Sequence, residues 1–121
     1  MKTRRICVAG GRNFSDYTLL RNTLNDYLSF VKKDEVEIVS GRAIGADTLA
    51  IYYAFEYNIA TKDFPANWTK YGKSAGMIRN SEMAKYCTEA IIFWNGYSVG
   101  TKNMIDTMNK LDKPVKVILY E

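Results

Sequence analysis

Hydrophobic and polar positions along this chain follow two alternating patterns. Short runs rich in β-branched residues predict β-strands, and longer segments with apolar residues at every third or fourth position predict α-helices with one buried face. The predicted strands are residues 5–9, 35–40, 61–64, 89–94 and 115–120, and the predicted helices are residues 16–31, 45–57, 75–86 and 101–111. Ser15 is the predicted N-cap of the first helix, and residues 67–76 are predicted to be irregular.

Strands that alternate with helices indicate a parallel sheet joined by right-handed crossovers. We therefore predict an α/β fold, a three-layer Rossmann-like sandwich with a five-stranded parallel sheet in the order 3-2-1-4-5 and helices on both faces. The alternation continues through residues 1–121 without a linker or a repeat, which predicts a single domain.

Three of the predicted strands end in loops that contain glycine and lead into a helix or towards one. In such sheets a ligand lies beyond the carboxyl ends of the strands, and the first turn of a helix favours an anion. Three loops of one kind suggest a single binding site. The residues predicted to bind its ligand are Gly10, Gly11, Arg12, Ser40, Gly41, Gly45, Ala46, Asp47, Gly96, Ser98, Gly100 and Thr101.

Individual residues in these loops have both structural and functional interpretations. Gly10 and Gly11 fit any tight strand-to-helix turn, whereas Arg12 places a long cation where a phosphate would lie. Asp47 either stabilises the first turn of a helix or binds ribose hydroxyls. Trp68 and Tyr71 lie in a polar segment and either stack on a base or pack within the loop.

Composition narrows the classes of function. The chain has 121 residues, of which 47% are hydrophobic, and a net charge of +4, which fits an anionic ligand. It contains no histidine, which excludes Ser–His and Cys–His catalysis and leaves no metal site expected. Two isolated cysteines and the absence of a signal pattern or a long apolar stretch predict a cytoplasmic protein with no membrane association.

Four motifs resemble one family. They are AGGRNFSDY from residue 9, VSGRAIGAD from residue 39, FPANWTKYGKSAGMIRNSEMA from residue 64 and FWNGYSVGT from residue 93. In this order they resemble the YspA-like, cpYpsA-related group of the SLOG superfamily, whose relatives include the Lonely Guy phosphoribohydrolases and DNA-processing protein A. The resemblance implies a Rossmann-like fold and a role in binding or processing a nucleotide-derived ligand.

The resemblance also implies candidate catalytic residues. Arg79, in the stretch RNSEM, takes the place of the arginine with which Lonely Guy enzymes cleave N-glycosidic bonds, but Met104 stands where those enzymes carry their glutamate. A thioether cannot replace a carboxylate in this reaction. Glu82 and Asp47 are the remaining candidates for that carboxylate.

These observations predict a protein that binds a phosphorylated ribonucleoside or an ADP-ribose-like molecule and leave open whether it also hydrolyses the N-glycosidic bond. The alternative is a non-enzymatic sensor or sponge for such a molecule. No cofactor is expected, and a homo-oligomer is left open. Nucleic acid is a disfavoured partner, because Lys and Arg are dispersed along the sequence and form no long basic run.

Overall fold

A parallel five-stranded sheet forms the centre of the protein, in a computed structural model that describes residues 3–121. The strands lie in the order β3-β2-β1-β4-β5, as predicted. Their bounds are β1 Arg4–Gly10, β2 Val36–Ser40, β3 Ala60–Asp63, β4 Glu89–Trp94 and β5 Val115–Leu119. Every neighbouring pair of strands is parallel, so the predicted α/β architecture is confirmed.

The helices pack on both faces of this sheet and complete three layers. Their bounds are α1 Tyr17–Tyr27, α2 Ala46–Glu56, α3 Trp68–Tyr71, α4 Ala75–Tyr86 and α5 Val99–Lys110. Successive side chains of a strand point to opposite faces, and β1 follows this rule. Ile6 and Val8 pack with α1 and α2, whereas Cys7 and Ala9 pack with α4 and α5.

The interior strand β4 is buried along most of its length, as its apolar run predicts. Every residue from Glu89 to Phe93 is buried, because β4 lies between two strands and under helices on both faces. By contrast, the edge strand β3 is exposed throughout. The carboxyl ends of β1, β2 and β4 therefore meet at one edge of a rigid, well-packed sheet.

Three local predictions differ from the structure. The N-cap of α1 is Asp16 and not Ser15, since the Asp16 carboxylate accepts a hydrogen bond from the Leu19 backbone N–H. This helix ends at Tyr27, because the chain turns back towards β2 while Leu28 stays buried against the core. The segment predicted to be irregular contains the short helix α3, which Asn67 caps by accepting from the Lys70 N–H.

Candidate functional site

The loops that follow β1, β2 and β4 surround one cavity at the carboxyl edge of the sheet. Its volume is about 510 Å³. The predicted residues that line it are Gly10, Gly11, Arg12, Asp47, Arg79, Ser98, Gly100 and Thr101, together with Met104. Residues from distant parts of the sequence are thus brought to one site, as expected for a fold whose ligands lie beyond the carboxyl ends of its strands.

Two glycines allow close backbone packing at the carboxyl end of β1, Gly10 against β4 and Gly45 against the loop after β1. A Cβ atom on Gly10 would lie 2.4 Å from the Phe93 carbonyl oxygen, which also accepts the Gly11 N–H. Gly45 has a φ of +88°, and a Cβ atom there would lie 2.2 Å from the Gly11 carbonyl oxygen. Both positions require glycine for sterics, so these two residues shape the cavity through close backbone contact.

Asp47 is a buried carboxyl group in the wall of the cavity. It is only 4% exposed, and the nearby backbone N–H groups of Gly10, Gly41 and Ala43 favour its ionised form. Burial raises its pKa to about 6, against the opposing effects of the Arg79 guanidinium and these backbone donors. Asp47 therefore occupies the anion-binding position that the loop amides would otherwise offer to a ligand phosphate.

Arg79 connects this carboxyl group to the opposite side of the cavity. Its Nη1 donates to the Gly41 carbonyl oxygen at 2.6 Å, and its Nε donates to the Asn80 side-chain oxygen at 3.0 Å. The Asn80 amide nitrogen donates in turn to the Gly100 carbonyl oxygen and to the Asn103 side chain. A continuous hydrogen-bond network therefore links the loop after β2 with the first turn of α5.

The first turn of α5 forms the second wall. Ser98 caps the helix, and its hydroxyl oxygen accepts from both the N–H and the hydroxyl of Thr101. The Asn95 side chain accepts from the backbone N–H groups of Tyr97 and Ser98. These contacts fix the loop, while the remaining N–H groups of the first helical turn have no intrahelical acceptor and lie where an anion is stabilised.

Cations and an aromatic side chain surround the mouth of the cavity. Arg12 and Lys73 are exposed and line it, and Trp68, which is 51% exposed, lies beside them on α3. The three charged residues Arg12, Lys73 and Arg79 face the one acidic residue that lines this cavity, Asp47. The charge balance at the site is positive and favours an anionic ligand.

A second cavity adjoins the first. Its volume is about 340 Å³, and it shares Arg12, Ala43, Trp68 and Arg79 with the larger cavity. Gly41, a predicted ligand-binding residue, lines this second cavity only.

Other predicted residues lie outside both cavities. Ser40 is fully buried, and its hydroxyl donates to the Asp47 carbonyl oxygen and accepts from the Arg42 N–H. Gly45 is the N-cap of α2 and Ala46 is its first residue. Gly96 is an exposed turn residue with a φ of +88°. These four residues support the loops but line neither cavity.

The candidate catalytic residues separate into two groups. Arg79 and Asp47 lie together at the cavity, whereas Glu82 is exposed on α4 and lines neither cavity. Met104 is buried and lines the larger cavity, so a thioether occupies this part of its wall.

Sequence reasoning missed several residues that the structure places at the site. Asn80, Asn95 and Lys73 all line the larger cavity. The available signal for Asn80 was its position directly after Arg79 in the motif RNSEM. The sequence contained no signal for Lys73, because a lysine in a polar segment usually lies at the surface without a specific role.

Fold and site together define a Rossmann-like α/β domain with a ligand-sized cavity at the carboxyl ends of its strands. The chain belongs to the YspA, cpYpsA-related SLOG family (YAcAr), whose sequence model matches residues 4–71. The predicted family resemblance is therefore confirmed. The chain is also 32% identical over 118 residues to the Gene 61 protein of Mycobacterium phage D29, with 93% of this chain and 94% of that protein covered.

Two solved structures have the same fold. DNA processing protein A from Streptococcus pneumoniae superposes with a TM-score of 0.77 at 18% identity, over 99% of this chain and 51% of that chain. DNA processing protein A from Helicobacter pylori gives a TM-score of 0.67 at 19% identity, over 99% of this chain and 67% of that chain. This chain thus spans about half the length of the Streptococcus protein, and the likeness shows the fold.

The prediction that nucleic acid is a disfavoured partner is wrong. The Helicobacter structure is described by its single-stranded DNA binding mode, so a protein of this fold takes such a ligand. The argument from dispersed charge failed for a physical reason. Arg12 and Lys73 are far apart in the sequence, but folding places both at one cavity.

Two further features bear on the class of function. Within residues 3–121, no helix is both long and apolar enough to cross a membrane. The same residues contain no group of three acidic, cysteine or histidine side chains arranged to hold a metal ion.

Proposed function

We propose that the larger cavity binds the phosphorylated ribonucleoside part of a nucleotide-derived ligand. The observation that carries this proposal is the convergence of Arg12, the first turn of α5 and the Asp47–Arg79 pair on one cavity of about 510 Å³. A cavity of this size falls within the range of small-molecule and cofactor sites, roughly 300–1,000 Å³.

The phosphate group lies between Arg12 and the first turn of α5 in this proposal. Arg12 is exposed and long enough to follow a ligand, and the hydroxyls of Ser98 and Thr101 stand at the start of the helix. The backbone amides of Gly41 and Ala43 are assigned no contact with the phosphate, because they already lie beside the Asp47 carboxylate and stabilise its charge. An anion is favoured at the free helix N-terminus for electrostatic reasons.

The ribose lies next to Asp47 and Arg79, and the base lies towards Trp68. A buried carboxylate beside a cation can accept hydrogen bonds from ribose hydroxyls, and an exposed indole provides a surface on which a base stacks. Met104 in the cavity wall leaves no carboxylate at the position where Lonely Guy enzymes carry one. These features favour binding over hydrolysis.

Arg12→Ala tests the position of the phosphate. A hydrogen bond to a charged group contributes about 1.5–3 kcal/mol, so the variant should bind adenosine monophosphate about tenfold or more weakly. Its affinity for adenosine should stay nearly unchanged, because the nucleoside lacks the phosphate. Both affinities are measured by titration calorimetry.

Arg21→Ala provides the matched control, since Arg21 lies on α1 and lines neither cavity. It should leave both affinities unchanged. Equal losses for adenosine monophosphate and adenosine in Arg12→Ala would refute the phosphate role of Arg12. No measurable binding of adenosine monophosphate to the wild-type protein would refute the proposed function itself.

Single-stranded DNA is the second candidate ligand. The exposed aromatic side chains Trp68, Tyr71 and Tyr97 and the cations Arg12 and Lys73 support it, since stacking surfaces and positive charge are what single strands bind. The shared fold with DNA processing protein A supports it as well. A steep fall of oligonucleotide affinity with rising salt is expected for this candidate, and a flat salt dependence would argue against it.

A further inference from the structure

The second cavity has a composition of its own. Its lining combines the apolar residues Ile44, Pro65 and Ala66 and the indole of Trp68 with three arginines, Arg12, Arg42 and Arg79. Ile44 is 67% exposed, which is unusual for an isoleucine in a loop between a strand and a helix. No acidic residue lines this cavity in the part of the chain that the structure describes. The apolar side chains and the indole provide contact for the flat ring of a base, and the arginines fit a phosphate attached to it.

The boundary between the two cavities carries positive charge. Arg12 and Arg79 line both of them, and Trp68 lies at the same boundary. The Nη1 and Nε atoms of Arg79 are held by Gly41 and Asn80, which fixes the guanidinium in place. A phosphate group at this boundary would therefore meet two guanidinium groups while its substituents extend into separate cavities.

We propose that the two cavities together bind a dinucleotide unit, with one nucleoside in each cavity and the linking phosphate between Arg12 and Arg79. This inference rests on the proposed function, because the first nucleotide of the dinucleotide occupies the larger cavity, where the proposed function also places its ligand. The second base lies against Ile44, Pro65 and Ala66, which line the second cavity only. The same unit occurs in a free dinucleotide and at the end of a single strand of nucleic acid.

The experiment compares two probes that differ by one nucleotide. Adenosine monophosphate fills the larger cavity only, and the 5′-phosphorylated dinucleotide pApA fills both. Because a stacked base contributes on the order of tenfold to affinity, pApA should bind the wild-type protein about tenfold more tightly or better. Titration calorimetry gives both affinities.

Ile44→Glu places a carboxylate in the second cavity without touching the first, since Ile44 lines only the second. It should reduce the affinity for pApA to about that for adenosine monophosphate, whose own binding should change little. Tyr52→Glu is the matched control, because Tyr52 is similarly exposed on α2 and lines neither cavity. It should leave both affinities as in the wild type.

The outcomes separate this inference from the proposed function. If adenosine monophosphate binds but pApA binds no more tightly, the second cavity is not a nucleotide site and only the inference is overturned. If Tyr52→Glu weakens pApA as much as Ile44→Glu does, the placement of the second base is wrong. If neither probe binds, both proposals fail.

The effect of strand length on affinity shows whether the dinucleotide unit comes from a free dinucleotide or from a single strand of nucleic acid. An adenylate strand of about ten nucleotides that binds no more tightly than pApA identifies the free dinucleotide, whereas affinity that rises with length identifies a single strand. In either case Ile44→Glu must still weaken binding.

Discussion

Asp47 should make the stability of this protein depend on pH in an unusual direction. Its carboxyl group is buried, and its pKa is raised from 3.8 to about 6. Below pH 3.8 the group is protonated in both the folded and the unfolded chain. Between these two values the folded state holds the proton more tightly, so its contribution to stability is largest at low pH and is lost as the pH rises through about 6.

The magnitude follows from the difference between the two pKa values. One pKa unit corresponds to about 1.4 kcal/mol, so a rise from 3.8 to about 6 corresponds to roughly 3 kcal/mol over the whole window. About 2 kcal/mol of this falls between pH 4 and pH 7. The ionised carboxylate thus costs stability at neutral pH, which is typical of a group retained for binding.

Urea unfolding of the wild-type protein and of Asp47→Asn, measured in parallel from about pH 4 to pH 7, tests this prediction. The variant cannot ionise, so the difference between the two free energies of unfolding isolates Asp47 from every other titrating group. The wild type should lose about 2 kcal/mol relative to the variant as the pH rises.

Asp106→Asn is the control, because Asp106 forms an exposed ion pair with Lys102 on α5 and lies away from the site. It reports the effect of removing a surface carboxylate. A wild-type protein that gains stability relative to Asp47→Asn as the pH rises would refute the reasoning. That result would mean that Arg79 and the three backbone donors outweigh the cost of burial.

Further predictions concern single side chains. Met104→Glu should release free base from nucleoside monophosphates roughly 10²-fold faster than the wild type, which should be nearly inactive. Chromatography measures the released base. Strong hydrolysis by the wild type that Glu82→Gln or Asp47→Asn abolishes would contradict this prediction. Lys113→Met should lower the free energy of unfolding by about 1–2 kcal/mol, because Lys113 Nζ donates to three carbonyl groups at the end of α4. An unchanged midpoint of urea unfolding would contradict this prediction. Gly45→Ala should cost at least about 1–3 kcal/mol, since its φ is +88° and the added Cβ would also lie 2.2 Å from the Gly11 carbonyl oxygen. Thermal unfolding checks this value, and a melting temperature equal to that of the wild type would contradict it.

Local pattern determined most of the architecture. The five strands and the four longer helices were all predicted, because strand and helix periodicities are local properties and alternation of the two dictates a parallel sheet. The ends of elements were less well predicted. Asp16 and Ser15 are both good N-caps, and only the path of the chain decides which of them begins α1.

The sequence also determined which loops form the site, but not the role of each residue in it. Gly10 and Gly45 were both predicted to approach a ligand, but only Gly10 lines the larger cavity, and Gly45 instead approaches the backbone of Gly11 and Arg12. Gly41 was predicted to bind the ligand, yet its amide lies beside the Asp47 carboxylate and lowers the pKa of that group. Backbone donors are satisfied by whatever acceptor folding brings near, and a linear pattern does not contain that distance.

Only the tertiary structure decided the charge and the shape of the site. Dispersed basic residues gave no sign of a positive cavity, but folding brings Arg12 from the loop after β1 to the same cavity as Lys73 and Arg79, which lie just before α4 and within it. The adjoining second cavity arises in the same way, from the loop after β2 and the segment before α3. Its existence depends on the packing of segments that are distant in sequence, and packing is a property of the folded chain alone.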